Sequence, residues 1–297
     1  MASDAVMVYD KSIGMCKTDI SIVIVNYNSG GFLYDCIKSI VGSLHDTDYE
    51  VIVVDNASSD DSLERCRIFA ESNVVFIDAG GNLGFSKANN LGARHAHGRI
   101  LHFLNPDTRI DESMNSDYAA ILAEVDAGNE RIYCNRMQNR DGSYMIKFGM
   151  PLPSAAFRRL IRKPIAEDYF YVGATVILPA SLFERIGRWN EAMFMYCEDV
   201  DMSYKAYRQG IEIKEMPAIV YHYGGGSSEK AFKNVEYEAL RQISLRIFYR
   251  VNNISMFKYW ALQVLSCVEL VCYRKYRNIP VLVRSIVRSF AGWHHDR

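Results

Sequence analysis

The chain lacks most of the features that would place it quickly. Its seven cysteines, at 16, 36, 66, 134, 197, 267 and 272, are odd in number and form no CxxC pair. That argues against a disulfide framework or zinc knuckle and points to a reducing compartment. No stretch reaches the ~20 consecutive apolar residues that a membrane-spanning helix needs. The opening "MASDAVMVYDKSIGMCK" has no basic start followed by an apolar run, so no secretory signal is expected. Net charge is also small: 34 Lys+Arg against 35 Asp+Glu give -1, and no global field argues for nucleic acid. Neither GxGxxG nor GxxxxGK[ST] occurs, which removes a nicotinamide-type fingerprint and a P-loop.

What is present is an ordinary globular composition, 49% hydrophobic and 23% charged over 297 residues. That length suits one large domain or two modest ones. The charge is unevenly spread. Residues 229–297 carry 12 Lys+Arg against 5 Asp+Glu, whereas residues 1–228 carry 22 against 30. A mildly acidic body therefore bears a basic tail, which calls for an acidic partner or surface.

Residues 1–18 are patternless and read as a loose arm. "ISIVIVNYN" is a short, β-branched apolar run, as in a strand buried on both faces. "FLYDCIKSIVGSL" places Leu33, Ile37, Ile40, Val41 and Leu44 at helical spacing. "YEVIVVDN", "VVFIDA" and "RILHFLNPD" repeat the strand signal. "SSDDSLERCRIFAES" and "FSKANNLGARHA" repeat the helix signal, the first with Ser58 and Asp61 at capping-box spacing. Such alternation predicts βαβ units and a doubly wound sheet. Beyond about residue 128 it gives way to irregular strands and loops. "YFYVGATVILPASLFERIG" then restores strand and helix. "DVDMSYKAYRQG" predicts a helix closed by Gly210, "IEIKEMPAIVYHYGGGSS" a strand, turn and strand, and residues 231 onward a helical tail.

In open α/β sheets ligands bind beyond the carboxyl ends of the strands. The exits here are polar and compact: Asn26-Tyr27-Asn28, Asp55-Asn56-Ala57-Ser58-Ser59, Gly81-Asn82-Leu83-Gly84 and Asn105-Pro106-Asp107. Asp55 can accept from a nucleobase N–H or a ribose hydroxyl. Asn105 and Asp107, two apart, can aim oxygens at one cation, and Mg²⁺ or Mn²⁺ takes such ligands while bridging phosphates; the same tripeptide also serves as a turn. His222, before a glycine run, is either structural or a ligand. Glu198, Asp199 and Asp201 crowd together beside apolar residues, where carboxyls resist ionising.

In this order, "SIVIVNYN", "VIVVDNASSD", "GNLGFSKANNLG", "LNPD", "WNEAMFMYCEDVDMSYKAYRQG" and "YHYGGGSS" resemble family 2 glycosyltransferases, in particular a rhamnosyltransferase-like branch, over about residues 19–228. The resemblance implies a GT-A fold: a doubly wound mixed α/β sheet with a Rossmann-like nucleotide-binding half and an acceptor-binding half. A helical extension over 229–297 would follow it, and the arm 1–18 would precede it. It further implies inverting transfer from a nucleoside diphosphate sugar. Asn26, Tyr27, Asp55 and Asn56 fall at the nucleoside, and Asn82 and Lys87 near ribose and phosphate. Asn105-Pro106-Asp107 replaces the family's DxD, with Asp107 the main ligand for Mg²⁺ or Mn²⁺ and His222 a further one. Asp199 falls at the general base, with Glu198 positioning the acceptor or raising its basicity. Asp201 is an acceptor-pocket residue or a helix-dipole partner, and Trp189 a sugar platform or a core residue.

The first expectation for the donor is dTDP-L-rhamnose, with UDP-galactofuranose, UDP-glucose and GDP-mannose as alternatives. The acceptor would be a glycan on a polyprenyl lipid, a bacterial surface precursor met at the inner face of the plasma membrane by a cytoplasmic enzyme. The processive-synthase QxxRW is missing, which favours single additions. A non-catalytic nucleotide-sugar-binding protein and a nucleotidyltransferase are the rival expectations. The tail, with Arg and Lys interleaved with aromatics, reads first as a helix lying on anionic membrane, and otherwise as an extension packed on the domain or on a second subunit of a homodimer.

Overall fold

The computed structural model describes residues 18–70, 73–145, 147–165, 168–223, 234–272, 275 and 278–290. The arm, the glycine run after Tyr223 and the last seven residues, Trp293 among them, lie outside the described residues, as do Tyr273, Arg274 and Arg277.

The apolar runs form the predicted strands. β1 (Ile20–Asn26), β2 (Tyr49–Asp55), β3 (Val74–Asp78) and β4 (Ile100–Leu104) lie side by side in parallel, in the order β3-β2-β1-β4. Alternate residues of β1 feed opposite cores. Ile20, Ile22 and Ile24 pack with Leu33, Ile37 and Ile40 of α1 (Gly31–Ser43), whereas Val23 packs on the other side with Leu101 and Phe103. α3 (Phe85–Arg94) follows β3.

The sheet continues through β10 (Thr175–Pro179), β6 (Ile132–Asn139), β11 (Ile213–His222) and β5 (Thr108–Arg109). β10 is antiparallel to both β4 and β6, and β6 is parallel to β11. β6 and β11 therefore run with β1 to β4. The carboxyl ends of these six strands and the amino end of β10 share one edge. β7 (Tyr144–Met145) pairs with β6, and β8 (Lys147–Gly149) with β9 (Tyr169–Tyr171) forms a small second sheet. α4 (Ser113–Asp126), α5 (Pro153–Leu160), α6 (Ala180–Arg185) and α7 (Glu198–Arg208) complete this part.

Three local expectations need correction. The helix read from Ser58 begins only at α2 (Ser62–Cys66), which ends in a 3₁₀ turn, Arg67–Phe69. Ser58 forms no capping box because its Oγ accepts from Asn28 N and Asn26 Nδ2, both at 3.0 Å. The turn read within "IEIKEMPAIVYHYGGGSS" is a β-bulge between Met216 and Ile219, inside one continuous β11. Pro217 needs no ladder donor there, and the Ala218 N–H donates instead to Asp117 Oδ2 at 3.1 Å. The segment read as irregular contains β6, an interior strand of the sheet. Its polar Asn135 is buried because it donates to Asp117 and to the Ala218 carbonyl.

The tail is helical, as α8 (Asn234–Val251), α9 (Met256–Cys272) and α10 (Ile279–Phe290). α8 and α9 do not stand apart from the domain. Leu245, Phe248, Tyr249, Tyr259 and Leu262 share a core with Ala155, Met193, Cys197 and Val200.

Candidate active site

The common edge gathers the polar exits. The register pairs Asn26 with Asp55 and Asp55 with Asp78, so three neighbouring strands end level with one another. Asn26 Nδ2 donates to Asp55 Oδ1 at 2.8 Å and to Ser62 Oγ at 2.8 Å, and the Ser58 N–H donates to Asp55 Oδ2 at 3.1 Å. Both Asp55 carboxylate oxygens are thereby fixed by hydrogen bonds at the end of an apolar strand, with lone pairs left for a donor. Asn56 and Asn82 hold each other: Asn56 Nδ2 donates to Asn82 Oδ1 at 2.9 Å, and the Leu83 N–H donates to Asn56 Oδ1 at 2.7 Å. Those amides shape the loop. Tyr27 is half-buried beside them, and Lys87 is exposed on the first turn of α3. Asp78 is exposed and register-matched to Asp55; sequence reading passed over it, and its signal was an acid closing an apolar strand.

At the same edge, the Tyr223 N–H donates to the Asp107 carbonyl at 2.9 Å, and Asp107 Oδ2 lies 3.6 Å from His222 Nε2. The two expected metal ligands therefore meet. Asn105 contributes through its backbone: its carbonyl accepts from Thr108 Oγ1 at 2.6 Å, and its N–H donates to the Ala174 carbonyl at 3.0 Å. No group of three or more His, Cys, Asp or Glu side chains clusters for a metal among the described residues. One carboxylate oxygen and one imidazole are ligand types that would suit a Mn²⁺-like ion, with Asp107 and His222 the residues that would hold it. His222 Nδ1 is buried without a hydrogen-bond partner among the described residues, so that ring is not yet fixed from behind.

Asp199 reaches this edge through the break between β9 and β10. Its Oδ2 accepts from the Gly173 N–H at 3.2 Å and its Oδ1 from the Val200 N–H at 2.8 Å. Gly173 is adjacent to Ala174, whose carbonyl binds Asn105, so two backbone-anchored links join Asp199 to the Asp107 turn. A Cβ on Gly173 would lie 3.2 Å from Asp199 Cβ, which explains the glycine. The preceding residues, Tyr196 and Cys197, both have left-handed backbone, at φ 68° and 65°. Two consecutive non-glycine residues there are strained, and strain of this kind collects at functional sites.

Glu198 and Asp199 open α7, where the helix dipole favours anions. Burial nevertheless wins: desolvation raises both carboxyls, and the Asp199 charge raises Glu198 further. Hydrogen bonding separates them. Asp199 has two backbone donors, whereas Glu198 Oε2 is buried with no partner among the described residues. Of the two, Glu198 is raised the further, so Asp199 releases its proton first as pH rises.

Two expected pocket residues are elsewhere. Trp189 is 2% exposed and packs edge-on against Phe103 at 5.3 Å and Phe85 at 5.9 Å, so it has no face for a sugar and is a core residue. Asp201 is buried against Lys205 Nζ at 2.8 Å and Asn252 Nδ2 at 2.7 Å, tying α7 to α8.

The loop before α3 and the Asp199 segment are docked backbone to backbone. The Phe85 N–H donates to the Phe194 carbonyl at 2.7 Å, across Gly84 at φ 78°. The sequence profile described as Glycosyl transferase family 2 matches residues 21–186, more than half of the chain. The chain belongs to glycosyltransferase family 2. It is 29% identical over 227 residues to the low-salt glycan biosynthesis hexosyltransferase Agl10 of Haloferax volcanii, covering 71% of this chain and 70% of that one. It is 24% identical over 255 residues to the rhamnosyltransferase WbbL of Escherichia coli K12, covering 74% and 94%. The mannosyltransferase PcManGT from Pyrobaculum calidifontis, solved with GDP-Man and Mn²⁺, superposes with a TM-score of 0.60 at 16% identity, covering 95% and 89%. The chain spans less of some other curated relatives, 59% and 58% of two of them. This family 2 chain has the GT-A fold, and the helices after β11 extend it.

Proposed function

We propose that this chain moves one sugar from a nucleoside diphosphate sugar to an acceptor hydroxyl with inversion at the anomeric carbon. The observation that carries the reading is the joining of Asp199, through Gly173, Ala174 and Asn105, to the Asp107–His222 pair at the carboxyl edge of the sheet. Asn26, Asp55 and Asn56 shape the nucleoside end, with Asp78 beside them, and Asn82 and Lys87 lie toward the phosphates. Asp107 and His222, with Asn105 beside them, would hold a divalent cation, Mg²⁺ or Mn²⁺, which offsets charge on a departing diphosphate when bound. Asp199 accepts the proton of the attacking hydroxyl as the new glycosidic bond forms, and the diphosphate leaves from the opposite face. Glu198, neutral and buried, positions the acceptor by donating a hydrogen bond.

Similarity to a rhamnosyltransferase supports dTDP-L-rhamnose as donor, and the fold likeness to an enzyme solved with GDP-Man supports GDP-mannose as the second reading. The acceptor is a surface-glycan precursor on a polyprenyl lipid, reached from the cytoplasmic face. The purified chain, screened against dTDP, UDP and GDP sugars with and without Mn²⁺, is expected to turn over one donor only with metal. Asp107→Ala is expected to weaken donor affinity in the presence of Mn²⁺ and to leave affinity without metal unchanged. Donor binding with no hydrolysis or transfer under any metal would make it a binding protein.

The order of ionisation sets a pH dependence. Asp199 works only when ionised and its pKa is raised, so kcat/KM is expected to fall as pH drops through a range above that of ordinary carboxylates. Because Glu198 is already protonated when Asp199 titrates, Glu198→Gln should leave this acid limb in place. A shift of the limb by about one unit or more would assign the titration to Glu198.

A further inference from the structure

The tail helices bury one face and leave another bare. On α9, Phe257, Trp260, Val264, Val268 and Val271 are exposed, spaced three or four residues apart, so they form one stripe. Phe257 is 80% and Val264 64% exposed. The opposite side of α9 sends Tyr259 and Leu262 into the core, so the stripe is not needed to hold the helix down. On α10, Val283, Val287 and Phe290 form a second exposed line. The two lines meet where the Trp260 and Phe290 rings stack, 5.7 Å apart and 7° from parallel, with Arg246 over the Phe290 face at 4.1 Å.

The exposed charges of α9 and α10 that lack an ion-pair partner among the described residues are all basic. Lys258, Lys275 and Arg284 are exposed and have no ion-pair partner among the described residues. α10 contains no acid, and the single acid of α9, Glu269, is half-buried. We propose that this face docks on an anionic lipid membrane. Phe257 and the valines enter the acyl boundary, the stacked Trp260 and Phe290 sit at headgroup level, and Lys258, Lys275 and Arg284 meet lipid phosphates. A second copy fits poorly, because a two-fold contact through the same stripe would set these unpaired cations against their equivalents. No helix among the described residues is long and apolar enough to cross a membrane, and the attachment proposed is a peripheral one. This surface stands independently of which sugar is moved.

The test uses the full chain and vesicles of phosphatidylcholine with or without about one-third phosphatidylglycerol, with no donor or acceptor present. The chain is expected to float with the anionic vesicles only, and to be released by high salt. Val264→Glu with Val287→Glu, and separately Lys258→Glu with Arg284→Glu, should each lower the bound fraction by about ten-fold or more. Melting temperature and transfer to a water-soluble acceptor should stay at wild-type values in both variants. Equal binding to neutral vesicles, no binding at all, or unchanged binding by both variants overturns the proposal. So does a wild-type dimer in sedimentation that the valine variant splits without any vesicle binding. Each of those outcomes leaves the transferase reading intact if turnover is observed.

Discussion

Asp199→Asn is expected to lower the transfer rate by roughly 10² to 10⁴-fold, the usual worth of a positioned general base. Donor affinity should change by no more than about two-fold, because the proposed donor contacts lie on other loops. Asparagine keeps the size of the side chain, and its Oδ1 can still accept from one of the two backbone N–H groups that hold Asp199. It cannot take a proton from an attacking hydroxyl. Stability should move differently from activity. A carboxyl raised by burial releases its proton in the unfolded chain first, so it costs the fold stability as pH rises from the ordinary carboxylate range to the raised pKa. Removing it should leave the neutral-pH melting temperature unchanged or higher. Rapid-quench turnover, calorimetric donor titration and thermal melts on the same preparation separate these effects. Wild-type turnover in this variant would strip Asp199 of the base role.

Gly84→Ala is expected to damage the site from a distance. A Cβ there would fall on the Phe194 carbonyl oxygen and 2.7 Å from the ring carbon Cδ2, and the backbone already lies at φ 78°. That carbonyl accepts the Phe85 N–H, so alanine must separate the loop before α3 from the segment leading to Asp199. Strain at such a position costs about 1–3 kcal/mol, and the lost hydrogen bond adds roughly 1 kcal/mol. Together these should lower the melting temperature by roughly 3–6 °C for a domain of this size. Displacing Asp199 by even about 1 Å should cost transfer about 10²-fold. Gly81→Ala is the control, since nothing lies within 4 Å of a Cβ there and its φ is not positive. Equal melting temperatures and rates for the two variants would show that the docking of these loops is unimportant.

The βα half of the fold was legible because its strands are buried on both faces. Ile20 to Val25 and Val51 to Val54 leave no polar residue to confuse the period, apart from Ser21. The exits were legible for the complementary reason: polar residues at the end of such runs must meet solvent, a ligand or each other. Legibility failed where a tertiary hydrogen bond replaced a local one. β6 was hidden because Asn135 is an interior residue only through Asp117. The same carboxylate accepts the Ala218 N–H and lets β11 run past Pro217. Ser58 looked like a helix cap and instead binds Asn26 and Asn28.

At the site, the crowding of Glu198 and Asp199 was visible, but the assignment of the proton was not. It depends on the Gly173 and Val200 N–H groups, and Gly173 lies 26 residues away in sequence. Trp189 and Asp201 stood between two readings for a related reason. An aromatic or an acid near a catalytic stretch has no sequence mark that distinguishes a core position or a helix tie from a pocket wall. The tail combined two behaviours that composition had posed as alternatives: one face of α9 belongs to the core, and the other carries the exposed stripe.

The most direct measurement is a crystal structure of this chain with a nucleoside diphosphate and Mn²⁺. The account predicts the base against Asp55, the metal on Asp107 and His222, and the diphosphate between that pair and the loop at Asn82, with the Asp199 carboxylate facing the open side. A nucleotide seated instead in the cavity of about 430 Å³ lined by Asn90, Arg188, Glu191 and Lys205, with the strand ends empty, would contradict it.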